Sequence, residues 1–504
     1  MDVYLKKIRL HNFKVFRDET ITFNKEINIF VGDNATGKST ILQAIDYVVS
    51  GSEGRIETVG LENLLNVDAI SEWQLNPTLE SLPQMVVELF LEMPDVGKNS
   101  RFYGEIYREG KNRPEFGIKM VCAPDEDFYP EIKNKIEGGN CDVFPYEFYG
   151  VRFSTFADAD YKGYIKPFRT LFIDSVSMNT SKTLKYAIGR TFENALESAD
   201  RTSNRHRFRE HVSKFALPQA AVEKNLIVAG DLESCLDLME CGVRLANQGE
   251  GRISICKTDS ALERKVDDVS ILFIEEPENH LSHYSLQHLI AKIRERIEDR
   301  QVFIVTHSSY ITARLGLQNA FFVNKKVKSL SNLSEDTSNF FIKAPNDNLL
   351  QFVLSSKVIL VEGAAEFILM DKFIQKTAHK DSAAFGAWII ALNNLSFRRY
   401  MEVANLLGIM VAVVRDNDHN PSEFYSELCT DKIKVFSDSD ASRYTFEVCL
   451  YNDNKTALDE LFHAEQNVQE YMLKHKAEAA FQILKSDVDL EVPKYIGDAI
   501  KWLT

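Results

Sequence analysis

The chain has 504 residues, 44% of them hydrophobic and 26% charged, with a formal net charge of -15. That is too long for one ordinary domain and long enough for two or three, each with its own core. No apolar run approaches the roughly 20 residues that span a bilayer, and the N-terminus lacks a basic-then-apolar leader, so the expectation is a cytoplasmic protein with no membrane partner.

In chain order, strands are expected at Val3 to Leu10, Ile21 to Phe23 and Ile27 to Val31, where β-branched residues alternate or run together. A helix follows from Lys38 to about Val49, then strand-like segments near Met85 to Leu91 and Phe102 to Arg108. From Leu171 to Leu245 the text is polar and helical. Short apolar strands return at Ile271 to Ile274 and Val302 to Val305, a polar stretch from Lys326 to Asn348 reads as a linker, and Val358 to Val361 and Met410 to Val414 read as fully buried parallel strands. Seven scattered cysteines, none in a Cys-x-x-Cys pair, argue against a disulfide framework or a zinc site.

The run Gly32-Asp33-Asn34-Ala35-Thr36-Gly37-Lys38-Ser39 fits the phosphate-binding pattern G-x-x-x-x-G-K-[ST], placed between a strand and a helix as that pattern requires. Its glycines let backbone N–H groups curl around phosphates, Lys38 can reach the β- and γ-phosphates, and Ser39 can hold Mg²⁺. Gly32, Asn34, Gly37, Lys38, Ser39 and Thr40 are therefore the expected ATP-binding residues. The strand Ile271 to Ile274 delivers Glu275 towards the metal and Glu276 towards an attacking water as general base. The same two glutamates also fit a cap on the next helix. A further strand ends in Thr306-His307-Ser308, where His307 fits either a core histidine or a γ-phosphate sensor.

Ile8 to Phe16 resembles the first strand and turn of the RecF/SMC branch of ABC ATPases, and in that setting His307 resembles the γ-phosphate-sensing histidine. Glu275-Glu276-Pro277-Glu278-Asn279-His280-Leu281, with Glu where Walker B usually has Asp, resembles the OLD (overcoming lysogenization defect) branch, so Asn279-His280-Leu281 would form a D-loop at a dimer contact. Gln248-Gly249-Glu250-Gly251-Arg252 resembles the OLD and Gabija signature loop without its leading serine.

In the last third, a strand ending in Glu362-Gly363 and, roughly 50 residues on, a strand leading into Asp416-Asn417-Asp418 resemble the Toprim domain, whose glutamate and Asp-x-Asp pair bind divalent metal. If the two strands are parallel neighbours about 4.8 Å apart, Glu362, Asp416 and Asp418 surround one small volume at the carboxyl edge of the sheet. Bound Mg²⁺ or Mn²⁺ there offsets their repulsion, and paired ions about 4 Å apart can activate water against a phosphodiester. The OLD resemblance adds Glu366 and Glu447 as metal ligands, and Lys476 as a catalytic cation that equally fits an ordinary exposed lysine.

The resemblance implies an α/β fold: an ABC-type head in two parts (1–170 and 246–348, the latter with the linker) around a helical dimerisation insertion (171–245), then a Toprim nuclease domain of Rossmann-like build (349–504). It implies an ATP-binding, metal-dependent DNA endonuclease or nickase in anti-phage defence, a homodimer or higher homo-oligomer, with a partner such as a helicase or reverse transcriptase. The alternative is a clamp that binds DNA ends or a partner without cutting. An acidic protein holds DNA through local basic surface and bound cations. Arg201, Arg205, Arg207, Arg209 and Lys214, with His206 and His211, supply one candidate surface, and they equally fit a solvated helix face.

Overall fold

A computed structural model describes residues 3–504 apart from 95, 107–112, 140, 142, 175–196, 214–238, 241–242, 245–248, 263–269, 280, 297–299, 325, 344–347, 394–395, 420–424, 464 and 487. The chain divides into two compact units: Met1–His307 with Val323–Val327, and Ser308–Phe322 with Lys328–Thr504.

In the first unit, β1 (Tyr4–Phe13), β2 (Phe16–Thr22), β4 (Met85–Glu92), β5 (Tyr103–Ile106), β6 (Arg113–Pro124) and β7 (Tyr149–Thr155) form one antiparallel sheet. A second sheet has the order β14-β13-β3-β12-β11-β8, with β3 (Ile27–Val31), β8 (Thr170–Asp174), β11 (Ile271–Glu275), β12 (Gln301–Thr306), β13 (Ala320–Asn324) and β14 (Lys326–Ser329). Strands β3, β12, β11 and β8 run parallel. Their near-continuous apolar text reflects burial on both faces: Ile29 to Val31, Ile271 to Ile274 and Val302 to Val305 are all 0% exposed. A cross-strand row, Phe172–Phe273–Phe303, lies in register across β8, β11 and β12 with ring centroids 4.3 and 5.2 Å apart, which pins the alignment of the strands.

Two expectations need correction. The segment read as polar and helical from 171 opens with β8, because Leu171 and Ile173 complete the parallel sheet against β11. A helix does follow at Ser198–Ser213, and the pair β9 (Met239–Glu240) and β10 (Val243–Arg244) lies near the segment's end. The stretch 326–348 is more than a linker: it contains β14 and the helix Glu335–Lys343, whose Thr337, Ser338 and Phe341 are buried. Glu402 fastens the start of this helix by accepting hydrogen bonds from Ser334 N (2.8 Å), Ser334 Oγ (3.0 Å) and Thr337 Oγ1 (2.5 Å), so its polar residues serve a cap that composition alone does not display.

The second unit holds a four-stranded, wholly parallel sheet in the order β16-β15-β17-β18, with β15 (Lys357–Val361), β16 (Trp388–Ala391), β17 (Met410–Val414) and β18 (Ile433–Phe436). From β15 the chain passes outward to β16 and then back to β17 on the other side, so the order reverses between β15 and β17. That crevice is the topological switch point where such sheets bind ligands. Helices Ala364–Ala378 and Lys494–Leu503 cover it, with Leu369, Phe373, Ala412, Val414, Phe446, Ile496 and Ile500 in one buried core.

Candidate functional site

The nucleotide-binding candidates emerge together from the carboxyl edge of the first unit's parallel sheet. Register places Val31 opposite Thr306 and Glu275 opposite Val305, so the turns after β3, β11 and β12 lie side by side. The Gly32–Gly37 turn leads into helix Lys38–Ser50, with Gly37 at its N-cap in the left-handed region (φ 110°). A Cβ on Gly37 would meet Phe16 Cζ at 2.7 Å and Val15 Cγ2 at 2.8 Å, so only glycine fits there. The helix has no acidic residue in its first turn, leaving its positive end open to an anion. Lys38 folds back over the turn, its Nζ donating to Gly32 O (2.9 Å) and Asp33 O (2.6 Å). Burial lowers its pKa, while the charges of Glu276, Asp33 and Glu278 pull the other way. Ser39 and Thr40 are half-buried in the first turn, and Asn34 is exposed on the loop.

Glu275 ends β11, and Glu276 follows in the left-handed region (φ 44°), a conformation uncommon for a side chain of this size. The turn is fastened by Glu276 N donating to Val305 O (2.8 Å). The Glu276 carboxylate is held on two sides: Asn279 Nδ2 donates to Oε2 (2.7 Å), and His307 Nε2 stands 3.6 Å from Oε1. Asn279 thus turns to its own chain's acid. His280 and Gln248 lie outside the described residues, and Glu250 to Arg252 open the helix Glu250–Leu262.

In the second unit, Glu362 leaves β15 and Asp416 leaves β17, directly at the switch point. Asp416 N donates to Glu362 Oε2 (3.2 Å), and Asp416 Oδ1 accepts from Phe446 N (2.7 Å) at the start of helix Phe446–Asp453, which brings Glu447 into the same crevice. Glu366 projects from the first turn of helix Ala364–Ala378. Burial drives the Glu366 carboxyl up to about 7, with Glu447 and Glu362 adding to the rise. Burial likewise drives Asp416 to about 8, reinforced by Glu366, Glu362 and Glu447. Lys476 Nζ pairs with Glu447 Oε2 at 3.1 Å. Burial opposes its charge, and Glu447, Asp416 and Glu366 more than offset that, raising its pKa.

Asp418 is not drawn into this cluster. Its backbone is left-handed (φ 48°), its carboxylate takes a 2.8 Å bond from Arg415 Nη2, and its side chain is 62% exposed. Sequence reasoning missed Asn417, 1% exposed, whose Nδ2 donates to Asp438 O (2.9 Å) and Asp440 O (2.8 Å) while Oδ1 accepts from His419 N (3.0 Å), bracing the acidic turn. Its only sequence signal was its place between two acids. Tyr495, buried, sits near enough to feel the charge of Asp416, Glu366 and Glu447. On helix Ser198–Ser213, Arg205, His206, Arg207 and His211 are exposed; the side chains of Arg201 and Arg209, and all of Lys214, lie outside the described residues.

Among the described residues no three His, Cys, Asp or Glu side chains close into a ready-made ligand cage. The donor chemistry nonetheless fits a divalent cation: four carboxylates converge, and two are pushed so far up that they hold protons near neutrality. The folded state then carries protons that the unfolded chain releases. This contribution to stability is complete below the ordinary carboxylate range and is lost as pH rises through about 7 and about 8. The metal-free protein should therefore melt at lower temperature as pH goes from about 6 to about 9, and Mg²⁺ or Mn²⁺ should restore the loss by taking the protons' place. Asp416→Asn should flatten the profile. A melting temperature of the second unit indifferent to both pH and cation would refute the arrangement.

A family model for the overcoming lysogenization defect protein-like Toprim domain matches residues 353–418. Two AAA-domain models match residues 7–138 and 197–313, the latter described as a putative AbiEii toxin of a type IV toxin–antitoxin system. The last third of the chain therefore carries an OLD-like Toprim domain, and AAA ATPase domains precede it. Short stretches of the chain are similar to the DNA replication and repair protein RecF. The match to that of Acetivibrio thermocellus is 41% identical over 66 residues, 13% of this chain and 17% of the relative. That to the protein of Clostridium kluyveri is 45% identical over 53 residues, 10% of this chain and 15% of the relative. The chain thus spans less than a fifth of the length of the curated relatives it matches first. Among solved structures, an SMC head bound to the C-terminal winged helix of ScpA covers 66% of this chain and 100% of its own at 13% identity and a TM-score of 0.36. An ATP-bound RecF covers 65% and 99% at 14% identity and 0.34.

Proposed function

We propose that this protein is an OLD-type, divalent-metal-dependent DNA endonuclease or nickase regulated by its ATPase head, acting in the cytoplasm in defence against phage. The observation that carries the reading is the convergence of Glu362, Glu366, Asp416 and Glu447, with Lys476 beside them, at the switch point of a parallel sheet. Glu362, Glu366, Asp416 and Glu447 would hold Mg²⁺ or Mn²⁺, with Asp418 joining if its turn swings from Arg415. Such ions supply an activated water and stabilise the leaving oxygen of a phosphodiester. Lys476 places a positive charge beside the cluster, suited to charge that builds on a phosphate. The amide of Asn417, bonded to Asp438 O, Asp440 O and His419 N, braces the turn that follows Asp416.

In the head, Lys38, Ser39 and Thr40 would bind ATP with Asn34, Gly32 and Gly37 shaping the loop, Glu275 would support its Mg²⁺, and Glu276 would accept a proton from water while Asn279 and His307 keep it aimed. ABC heads complete their sites across a pair, so a homodimer or larger homo-oligomer is part of the proposal. DNA is the proposed substrate, steered by local basic surface such as Arg205 and Arg207, and a helicase or reverse transcriptase is the proposed defence partner. Among the described residues no helix is long and apolar enough to cross a membrane.

One observation favours a second reading, a clamp without cleavage: Asp418 stands apart, paired with Arg415. Supercoiled plasmid incubated with purified protein and Mg²⁺ or Mn²⁺ separates the two. Conversion to nicked or linear DNA that EDTA blocks is the expected result. DNA binding with no conversion under either metal would establish the clamp instead.

A further inference from the structure

The acid two residues beyond the proposed general base has no role in the reading above, yet its contacts are specific. Glu278 Oε1 accepts two hydrogen bonds, from Thr306 Oγ1 and from His307 N, each 2.7 Å long. Thr306 is the last residue of β12 and is 0% exposed; His307 is the first residue past it. One oxygen therefore stitches the turn after β11 to the carboxyl end of β12. The neighbouring stitch, Glu276 N to Val305 O, joins the same two segments one step earlier. Between these stitches stands the pair that the reading makes catalytic, with His307 Nε2 3.6 Å from Glu276 Oε1.

The ring of His307 can be aimed only as well as its backbone is held. It follows β12 directly, where a strand's ladder bonds no longer restrain it, and its N–H donates to Glu278 Oε1. Glu276 on the other side occupies a left-handed backbone that its surroundings must enforce. We infer that Glu278 is a positioning residue for ATP hydrolysis: it sets His307 against Glu276 through an acceptor oxygen, acting by geometry and not by charge. The inference rests on the reading of Glu276 and His307 as hydrolytic residues.

The test compares Glu278→Gln, which keeps an acceptor oxygen at the same reach, with Glu278→Ala, which removes it. In the Ala variant kcat for ATP hydrolysis should fall about tenfold, short of the roughly 100-fold that a 1 Å misplacement of a catalytic group can cost, with KM for ATP within about twofold of the parent. The Gln variant should stay within about threefold of the parent in kcat. Hydrogen exchange, followed by mass spectrometry on peptides covering residues 306–309, gives a readout independent of turnover: exchange should quicken in the Ala variant and stay near parental in the Gln variant. Equal losses in both variants would mean that the charge matters and would overturn the inference, as would an Ala variant with parental kcat. A parent protein that binds ATP without hydrolysing it would bring down the hydrolytic reading itself, and the inference with it.

Discussion

Replacing Asp416 with asparagine should abolish metal-dependent strand cleavage, by about 100-fold or more, while ATP hydrolysis stays within about twofold of the parent. Asp416 is the hub of the acidic cluster: its N–H reaches Glu362 and its Oδ1 takes the Phe446 N–H that starts the helix bearing Glu447. Asparagine keeps an acceptor for Phe446 N and removes the charge, so the variant isolates cation binding from folding. Alanine removes both and should also destabilise the second unit, because a buried N–H loses its partner. Asp418→Ala is the informative companion. Its carboxylate is exposed and paired with Arg415, so a large loss of cleavage would mean that this turn rearranges when cation and DNA bind, and a small one would confine the metal site to the four converging acids. Folded, ATPase-active Asp416→Asn protein that still nicks plasmid at the parental rate would end the nuclease reading.

Lys38→Ala should weaken ATP binding about 100-fold and remove hydrolysis with it, because the lysine supplies the positive charge for the terminal phosphates. Its two bonds to Gly32 O and Asp33 O also brace the turn, so circular dichroism and melting must show the variant folded before the loss is assigned to the nucleotide. Glu276→Gln should separate binding from turnover: ATP affinity near the parent's, with hydrolysis reduced about 100-fold or more. Asn279 and His307 still have an amide to face, so the turn keeps its shape. Retained ATP binding by Lys38→Ala, measured by calorimetry, would remove the phosphate-binding role from this turn. The effect of Glu276→Gln on plasmid nicking then reports coupling: changed cutting means that the head governs the Toprim site, and unchanged cutting means that it does not.

The parts of the fold readable from sequence were those where physics writes continuously. Buried parallel strands β11, β12, β15 and β17 appear as runs of at least four apolar residues, and β3 with a single break at Asn28, because both their faces are covered. Strand β6 was missed because Pro114 and Gly117 interrupt it, yet Gly117 is there for packing: a Cβ would lie 2.2 Å from the Phe156 ring. The edge strands β16 and β18 are four residues long and only partly buried, too short to show a period. Within the site, the strand-end acids Glu362 and Asp416 could be read because a strand and its following residue are neighbours along the chain. Glu366, Glu447 and Lys476 came from resemblance alone, since their meeting depends on how helices from distant segments fold over the sheet. The turn of Asp418 towards Arg415, and the bracing by Asn417, depend on backbone angles that spacing does not encode.

The acids at the β15–β17 crevice are gathered from separated stretches of chain, Asp416 standing 54 positions after Glu362 and Phe446 30 positions after Asp416. Contacts of that range close late, after local helices and turns have formed. On a ribosome, which releases the chain from its N-terminus, the ATPase head emerges and can fold first. A chain that stops before residue 447 has the two central strands with only part of the acidic cluster, and one that stops before 476 lacks its cation. The order of synthesis therefore keeps truncated products short of a complete cluster, and only a chain finished well into its last helices can assemble it.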